Sequence, residues 1–497
     1  MPASSDLYAA LDLGSNSFHL LVANFSGGKM QVLDRHKDMV RFAAGLDEQD
    51  QLDGATQQRA LDSLARIAER LRNIPRERIR VVGTNTLRAA SNAAAFLKRA
   101  ESVLGVPINI ISGTEEARLI YLGTANDFSP DHRRRLVADI GGGSTEIVVG
   151  SDQPALLQSL PVGCVSFSQR FFPEGAISSN AFHKAVEAAQ QELSPHVERL
   201  RGQWDEAVGS SGTIRAIARI AAAHQWSDDG AITQDALQRM GHALQQVKRV
   251  RQLKLDGLPK ERIDVFPGGL AILVAIMQEL EIERLMPSQY ALREGVIHDL
   301  AGRFEHRDTR IATIAYFQKQ YQVDQAHAER VATLALHWLE QVREHVDYPY
   351  HEASKLLRWA AQLHEIGLSI AHGSFHKHGA YILQNADMPG FSRQEQARLA
   401  FLVLNQRRKP KNGELMENTL PNWLLVSLLR LACIFYRRRQ PRALPEGMSV
   451  AASSQTLTLT VPDSWSRANP LTAADLADEV LLMQTVGFTL TVATTAD

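Results

Sequence analysis

Three consecutive glycines stand between two acidic residues in the stretch DIGGGSTEIVVG, and apolar runs lie on both sides of the turn. Glycine lets backbone amides approach a ligand closely, and a turn that presents several N–H groups suits a phosphate. Carboxylate oxygens beside phosphate oxygens are the ligands that Mg²⁺ prefers. The pattern therefore predicts a phosphate-binding turn, with Asp139 and Glu146 as candidate ligands of a magnesium ion.

The residues around the glycines exclude two common nucleotide-binding motifs. No lysine follows the glycines, and a second strand follows them instead of a helix, so the stretch is neither a Walker-type loop nor a dinucleotide-binding turn. A plain β-hairpin with a glycine turn is the simple alternative. Such a hairpin does not require a carboxylate on each of its two strands.

The same plan occurs a second time, near the start of the chain. The stretch YAALDLGSNSFHLLVA contains an apolar strand, then Asp12, Gly14 and Ser15, and then another apolar strand. Two such hairpins indicate duplicated domains that face each other, each of which offers a glycine turn to a phosphate. This arrangement resembles the actin-like superfamily of sugar kinases, acetate kinases and heat-shock ATPases.

A third small-residue turn opens a predicted helix. In AVGSSGTIRAIARI, an apolar strand leads through Ser211, Gly212 and Thr213 into a helix with an apolar face. Unpaired N–H groups and the positive end of the helix dipole make such a turn a good anion site. Simple capping of the helix by serine or threonine is the alternative.

Neighbouring glutamates begin another predicted helix, in SGTEEARLIYLG. Ser112 and Glu115 have the spacing of a capping box, which gives Glu115 a structural role and leaves Glu116 without one. An ionised carboxylate that points into a cleft can orient or deprotonate a water molecule. Two surface carboxylates that favour a helix start are the alternative. Arg88, which follows a strand in TNTLR, can bind a phosphate with its guanidinium or lie on a helix surface.

Six motifs together show a more specific likeness: VVGTNTLRAASNA, IISGTEEARLIYLG, DIGGGSTEIVVG, GCVSF, GSSGTIRA and ALREGV. In this order, over nearly the whole chain, they resemble the exopolyphosphatase/guanosine pentaphosphate phosphohydrolase (Ppx/GppA) family. The resemblance implies that Glu116 is the catalytic base and that Asp139 and Glu146 hold the metal. The residues implied to bind phosphate are Asp12, Gly14, Ser15, Asn16, Arg88, Gly141, Gly142, Gly143, Ser144, Ser211, Gly212 and Thr213.

The resemblance also implies a reaction. Cys164 has no paired base, so direct attack of water on a terminal phosphoryl group is expected, with Mg²⁺ as cofactor. The predicted substrate is guanosine pentaphosphate, cut to the tetraphosphate, because LHEIGLSI, LLRLACIFYRRRQ and LTLTVPDSW look closer to that branch of the family. Inorganic polyphosphate is the alternative substrate. A sensor that binds guanosine polyphosphates without hydrolysing them is the alternative of a different class.

The predicted fold class is α/β. Two actin-like, ribonuclease H-like domains (residues 1–126 and 127–304) precede a helical domain (305–442) and a small C-terminal α+β domain (443–497). In the helical domain His327, His364, His376 and His378 resemble the HD phosphohydrolase array, but Glu365 stands where that array has aspartate. The departure favours a degenerate HD-like domain with a structural role. Metal binding there is the alternative.

Composition excludes several classes of partner. The net charge is −1, so no nucleic-acid partner is indicated, and the longest apolar run, GLAILVAIM, is shorter than the ~20 residues that span a bilayer. Two cysteines and no basic, apolar leader predict a cytoplasmic protein. A homodimer is expected. The basic stretches NQRRKPK and YRRRQPR are either a solvated face or a channel for a long polyanion.

Overall fold

The computed structural model describes residues 7–26, 29–128, 132–227, 229–305, 307–346, 349–411, 423–441, 444–453 and 455–495. The chain divides into two compact units, Met1–Asp308 and Thr309–Asp497. Within the described residues, no helix is both long enough and apolar enough to cross a membrane.

The first half of the first unit is built on a five-stranded sheet of order β3-β2-β1-β4-β5. Its strands are β1 (Leu7–Leu13), β2 (Phe18–Ser26), β3 (Lys29–Asp38), β4 (Ile79–Gly83) and β5 (Ile108–Ile110). Its helices are α1 (Gly54–Leu71), α2 (Asn85–Ala89), α3 (Ala93–Leu104) and α4 (Gly113–Ala125). Strands β1, β2 and β3 are antiparallel, whereas β4 and β5 continue the sheet in parallel with β1.

The second half of this unit repeats the plan in a six-stranded sheet of order β10-β11-β9-β6-β7-β8. Its strands are β6 (Arg135–Ile140), β7 (Thr145–Gly150), β8 (Pro154–Leu160), β9 (Glu206–Ser210), β10 (Ile232–Thr233) and β11 (Arg284–Pro287). Its helices are α5 (Cys164–Phe171), α6 (Ser179–Leu193), α7 (Val197–Leu200), α8 (Ser211–Ala223), α9 (Gln234–Gln245), α10 (Phe266–Glu279) and α11 (Leu292–Phe304). Strands β8-β7-β6-β9-β11 match β3-β2-β1-β4-β5 in order and direction, which confirms the predicted duplication.

Helices α4 and α11 join the two halves through a shared apolar core. Val82 from the first sheet, Val137 from the second sheet and Val296 from α11 are buried in one cluster. The two helices approach so closely that a side-chain carbon at Gly123 or Gly295 would overlap the backbone of the other helix. The close contact fixes α4, and with it Glu116, against both sheets.

The second unit is mainly helical. Its helices are α12 (Thr309–Gln320), α13 (Gln325–Gln341), α14 (Tyr350–Leu363), α15 (Phe375–Asn385), α16 (Arg393–Asn405), α17 (Trp423–Phe435), α18 (Asp463–Ala468) and α19 (Pro470–Gln484). A small sheet contains β12 (Ser449–Ser453), β13 (Thr456–Pro462) and β14 (Thr489–Thr495).

The predicted half-buried strand in QTLTLTVPDSW is confirmed, because buried and partly exposed residues alternate along β13. Leu457 and Leu459 on this strand share one core with Trp338 of α13. The helices and the small sheet are therefore packed as a single unit. The four domain bounds expected from the sequence remain predictions.

Candidate active site

The two glycine hairpins face each other across a cleft in the first unit. A side-chain carbon on Gly142 would lie 2.9 Å from Cβ of Ser15, and one on Gly143 would overlap the amide of Asn85. The bare backbone between Asp139 and Glu146 thus lets the two turns come into contact. The same approach places the Ser15 hydroxyl, which hydrogen-bonds to Thr86 at 2.9 Å, against the opposite turn.

Helix α5 holds the glycine turn from behind. The N–H groups of Cys164 and Val165 donate to the carbonyls of Gly141 and Gly142, both at 2.9 Å, and the Gly141 N–H donates to the carbonyl of Ser144 at 2.9 Å. These bonds satisfy amides at the start of the helix and fix the conformation of the turn. The N-terminus of α5 therefore supports the cleft indirectly.

Four carboxylates from four elements cluster at the cleft. Asp139 on β6 and Glu146 on β7 are direct partners in the antiparallel register, so their side chains share one face of the sheet. Asp12 comes from β1, and Glu116 from the first turn of α4. Ser159 donates to Oε1 of Glu146 at 2.9 Å.

Burial disfavours the ionised form of all four carboxylates. Burial, and then the charges of Glu116 and Asp139, raise the pKa of Asp12 to about 7. Burial also raises the pKa of Glu116, against the effect of Arg88, and raises that of Asp139. Burial and the charges of Glu116 and Asp139 raise the pKa of Glu146 well above its ordinary value.

A divalent cation fits this cluster. Oδ1 of Asp12 is buried without a hydrogen-bond partner among the described residues. Buried carboxylate oxygens suit a hard cation, and Mg²⁺ typically takes one or two carboxylates and completes its shell with phosphate oxygens and water.

Three arginines line the cleft together with the carboxylates, and our sequence analysis did not identify them. They are Arg215 of α8, Arg262 of the short helical turn Lys260–Val265, and Arg293 of α11. Burial, and then repulsion from Arg293, lower the pKa of Arg215. Arg215 and Arg293 lie inside the motifs GSSGTIRA and ALREGV, so those motifs could have identified them. Arg262 lies in no recognisable pattern.

A histidine positions one of these arginines. Nη1 of Arg293 lies 3.1 Å from Nδ1 of His19, and Nε2 of His19 lies 2.6 Å from the hydroxyl of Ser17. Because a guanidinium only donates, Nδ1 is the acceptor and Nε2 carries the proton. Burial and the Arg293 charge lower the pKa of His19 well below its ordinary value, which keeps the ring in this neutral form.

Most of the residues expected at the site line the cleft. They are Asp12, Gly14, Ser15, Asn16, Glu116, Asp139, Gly141, Gly142, Gly143, Ser144, Ser211 and Gly212. Three others lie behind them: Glu146, Arg88 and Thr213. Arg88 donates to Glu116 at 2.7 Å and to the carbonyl of Ile111 at 2.9 Å, so its phosphate contact remains a prediction. Thr213 packs beside Gly269.

The predicted capping box is half wrong. The Ser112 hydroxyl accepts a bond from the N–H of Glu115 at 3.1 Å, as expected. The Glu115 carboxylate does not return to the cap, because it is buried against Arg118, at 2.7 and 2.8 Å. Burial among arginines is a tertiary contact that the local spacing does not encode.

Comparisons with known proteins identify the family of the chain. Residues 21–304 match the Ppx/GppA phosphatase family, and residues 309–480 match Ppx/GppA phosphatase, domain III. Over 495 residues the chain is 41% identical to a guanosine-5'-triphosphate,3'-diphosphate pyrophosphatase of Vibrio vulnificus (strain YJ016), with 98% of each chain covered. A protein of the same name from Vibrio atlanticus (strain LGP32) is 40% identical with the same coverage.

Solved structures are similar to the first part of the chain. The Aquifex aeolicus Ppx/GppA enzyme is 25% identical with a TM-score of 0.51, over 59% of this chain and 98% of that one. An exopolyphosphatase from Cytophaga hutchinsonii is 21% identical with a TM-score of 0.54, over 60% of this chain and 98% of that one. These likenesses, together with the domain III match and the helices of the second unit, confirm the predicted fold class of actin-like domains and a helical domain. The chain belongs to the Ppx/GppA phosphatase family.

Proposed function

We propose that the protein removes the terminal phosphate of guanosine pentaphosphate and releases guanosine tetraphosphate. The observation that carries the proposal is the cleft in which two glycine hairpins, a carboxylate cluster and three arginines meet. The names of the relatives that are about 40% identical over the whole chain support this choice of substrate.

Glu116 is the proposed general base. Its carboxylate is 8% exposed at the cleft, and Arg88 fixes its direction through the 2.7 Å bond. In the free protein, burial favours the protonated acid, whereas the Arg88 charge favours the carboxylate that can accept a proton. When water attacks the terminal phosphorus, Glu116 accepts a proton from it, and the nucleotide leaves with the bridging oxygen.

The glycine turns and the arginines bind the phosphate chain. Ser144 and Ser211 offer hydroxyls to phosphate oxygens, and Arg215, Arg262 and Arg293 offer positive charge at the same cleft. In an enclosed site, charges that are already in place stabilise the negative charge of the transition state without rearrangement. These residues therefore act by position and by charge, as expected for phosphoryl transfer.

The metal proposed for this site is Mg²⁺. Phosphoanhydride-hydrolysing members of the family are generally dependent on a divalent metal. Asp139 and Glu146 would hold the ion with phosphate oxygens, and the ion supplies positive charge to the phosphate chain.

Inorganic polyphosphate is a second candidate substrate. None of the described residues that line the cleft is phenylalanine, tyrosine or tryptophan, so a guanine base finds no large aromatic ring among them. Recognition by the phosphate chain alone admits both substrates.

Release of inorganic phosphate from guanosine pentaphosphate, polyphosphate and ATP, side by side, tests the proposal. We expect the fastest release from guanosine pentaphosphate, and loss of release when a chelator removes divalent metal. A greater kcat/KM with polyphosphate would reverse the choice of substrate. Tight binding of guanosine pentaphosphate with no release, in the presence of Mg²⁺, would identify a sensor and refute the proposed reaction.

A homodimer and a cytoplasmic location remain part of the proposal. Light scattering on the purified full-length chain tests the first, and fractionation of cells that express it tests the second. A monomeric mass at micromolar concentration would contradict the dimer.

A further inference from the structure

The second unit contains a cavity of about 540 Å³ that the proposed reaction does not use. Helices α13, α15, α17 and α19 contribute to its lining. Four arginines of the two basic stretches lie on it: Arg407, Arg408, Arg437 and Arg439. Arg442, which belongs to the same basic stretch, lies outside the described residues. The lining thus combines these arginines with three carboxylates of α19.

Two histidines and a glutamate converge inside this cavity. His327 stands in the first turn of α13, and His364 and Glu365 follow the last residue of α14. All three are buried, with 4%, 3% and 8% of their surface exposed. They are the one group of three or more His, Cys, Asp or Glu residues in the described chain whose ligand atoms lie within 4.8 Å of one another.

The distances are close to those of a metal site. Nε2 of His327 and Nε2 of His364 each lie 4.0 Å from Oε1 of Glu365. In a tetrahedral zinc site, metal–ligand distances of ~2.1 Å place neighbouring ligand atoms roughly 3.4 Å apart. Small side-chain rotations would bring the three atoms to that spacing.

The backbone presets one imidazole for coordination. Nδ1 of His364 lies 2.6 Å from the carbonyl of Ala361, which can only accept, so Nδ1 carries the proton and Nε2 presents a lone pair. A second hydrogen bond from the Gln406 side chain to the carbonyl of His364 fixes this turn. Histidines that bind metals usually donate their other N–H group to such a carbonyl.

His327 has an unsatisfied polar atom. Its Nδ1 is buried without a hydrogen-bond partner among the described residues. A buried polar group without a partner is costly in a purely structural residue. The other ring nitrogen, Nε2, is the one that lies near Glu365.

We propose that His327, His364 and Glu365 bind one divalent transition-metal ion of the zinc class. Imidazole nitrogen selects such ions over Mg²⁺ and Ca²⁺, which prefer ligand sets made of oxygen. Three protein ligands leave at least one coordination position open to the cavity, where water or an anion can bind near Arg407 and Arg408.

An ion pair with Arg439 is a different explanation for the buried Glu365. Nη2 of Arg439 lies 2.5 Å from Oε1 of Glu365, and its Nη1 lies 3.6 Å from Asp324. Its side chain is 45% exposed, so it can turn toward solvent when a cation takes its place. If Arg439 is instead the permanent counter-charge of Glu365, no metal binds.

Titration of the chelator-treated full-length protein with Co²⁺ and Zn²⁺ tests the site. Excess Mg²⁺ is kept present to occupy the carboxylate cluster of the first unit. We expect the protein to bind one equivalent of Co²⁺ and to show a visible absorption band that is typical of low-symmetry coordination. Zn²⁺ should displace this Co²⁺.

Variants assign the metal to these residues. Loss of an outer-shell partner already weakens metal binding by ~10–100-fold, so His327→Ala and His364→Ala should each weaken it by at least about 100-fold. His337→Ala is the matched control, because His337 is an exposed histidine on the same helix. Glu365→Gln keeps the shape of the side chain and serves if an alanine variant does not fold, as judged by circular dichroism.

Arg439→Ala separates the two explanations. If the metal site exists, removal of the competing guanidinium should tighten Co²⁺ binding. Absence of a one-equivalent site in both the wild-type protein and Arg439→Ala would overturn the proposal. Equal affinity in the wild-type protein and in folded His364→Ala or Glu365→Gln would also overturn it.

Discussion

Glu115 and Glu116 are neighbours on α4, but their carboxylates enter two groups of charges that are balanced differently. Glu115 pairs with Arg118, which bonds to Asp299 at 2.6 Å, and Asp299 also pairs with Arg80 at 2.5 Å. In this network two buried acids are compensated by three arginines, of which Arg80 and Arg118 are buried and Arg303 is partly exposed. Glu116 lies instead in the cleft, among three other carboxylates.

The consequences for ionisation are opposite. Although burial favours the neutral acid, the charges of Arg118 and Arg80 hold the pKa of Asp299 well below its ordinary value. In the cleft, burial and like charges raise the pKa of Asp12 to about 7. The balanced network stabilises the fold, whereas the cleft is left to be completed by an external cation and a phosphate chain.

The largest expected effect is on turnover, from Glu116→Gln. Removal of the proposed base should lower kcat by about 10²–10⁴-fold. Stability of the metal-free protein should stay the same or rise, because a buried like charge is removed. Phosphate release and thermal unfolding measure the two effects.

The neighbouring variant Glu115→Gln is the matched control. It removes a negative charge beside the buried Arg118, so the protein should lose stability. The folded fraction should keep its kcat within a few-fold. The reverse pattern would show that the two roles are wrongly assigned. In that case Glu115→Gln would be stable but without turnover, and Glu116→Gln would be active.

The second prediction concerns the network itself. Asp299→Asn leaves two buried arginines short of negative charge, and breaking a buried ion pair costs about 3–5 kcal/mol of the free energy of unfolding. Asp264→Asn removes a carboxylate from an exposed pair with Arg251 and should have a much smaller effect, because solvent screens such a pair. Denaturant unfolding measures both. Equal effects would show that the network contributes no more than a surface pair.

The third prediction concerns pH in the absence of divalent metal. The pKa of Asp12 is about 7 in the folded protein against an ordinary 3.8, so the folded state holds a proton that the unfolded state has lost. The stability that this proton contributes to the folded state is fully present below about pH 4 and is lost as the pH rises to about 7, by an amount on the order of 4 kcal/mol.

Denaturant midpoints between pH 4 and 7.5, with and without Mg²⁺, measure this loss. Asp12→Asn should flatten the metal-free profile, and Mg²⁺ should reduce the loss by stabilising the ionised forms. A profile that is the same in Asp12→Asn and in the wild-type protein would refute the role of Asp12.

The smallest effect is expected from His19, a positioning residue for Arg293. His19→Ala removes the acceptor for Arg293, and a hydrogen bond to a charged group is worth about 1.5 kcal/mol, or roughly tenfold in kcat/KM. The change should appear mainly in KM, because the proposed phosphate contact of Arg293 is made in the ground state as well. His132→Ala changes an exposed histidine and should have no effect. A loss confined to kcat would contradict a binding role.

The local elements of the site could be predicted from the sequence. Each glycine hairpin, the Ser112 cap and the alternation along β13 depend on residues that are near one another in the chain, and the structure contains all of them. The duplicated plan was also visible, because both hairpins use the same order of acid, glycine and hydroxyl. Local backbone preferences and the periodicity of apolar residues are sufficient for such features.

Only the tertiary structure decided which charges meet. Arg262 reaches the cleft from a short turn, and His19 contacts an arginine 274 positions further along the chain. Because one side of α4 packs against α11, Glu115 is buried in the network, whereas Glu116 lies at the cleft. His327 and His364 come from two helices whose packing brings them together. A pKa depends on burial and on all nearby charges, and neither quantity exists until distant segments have packed.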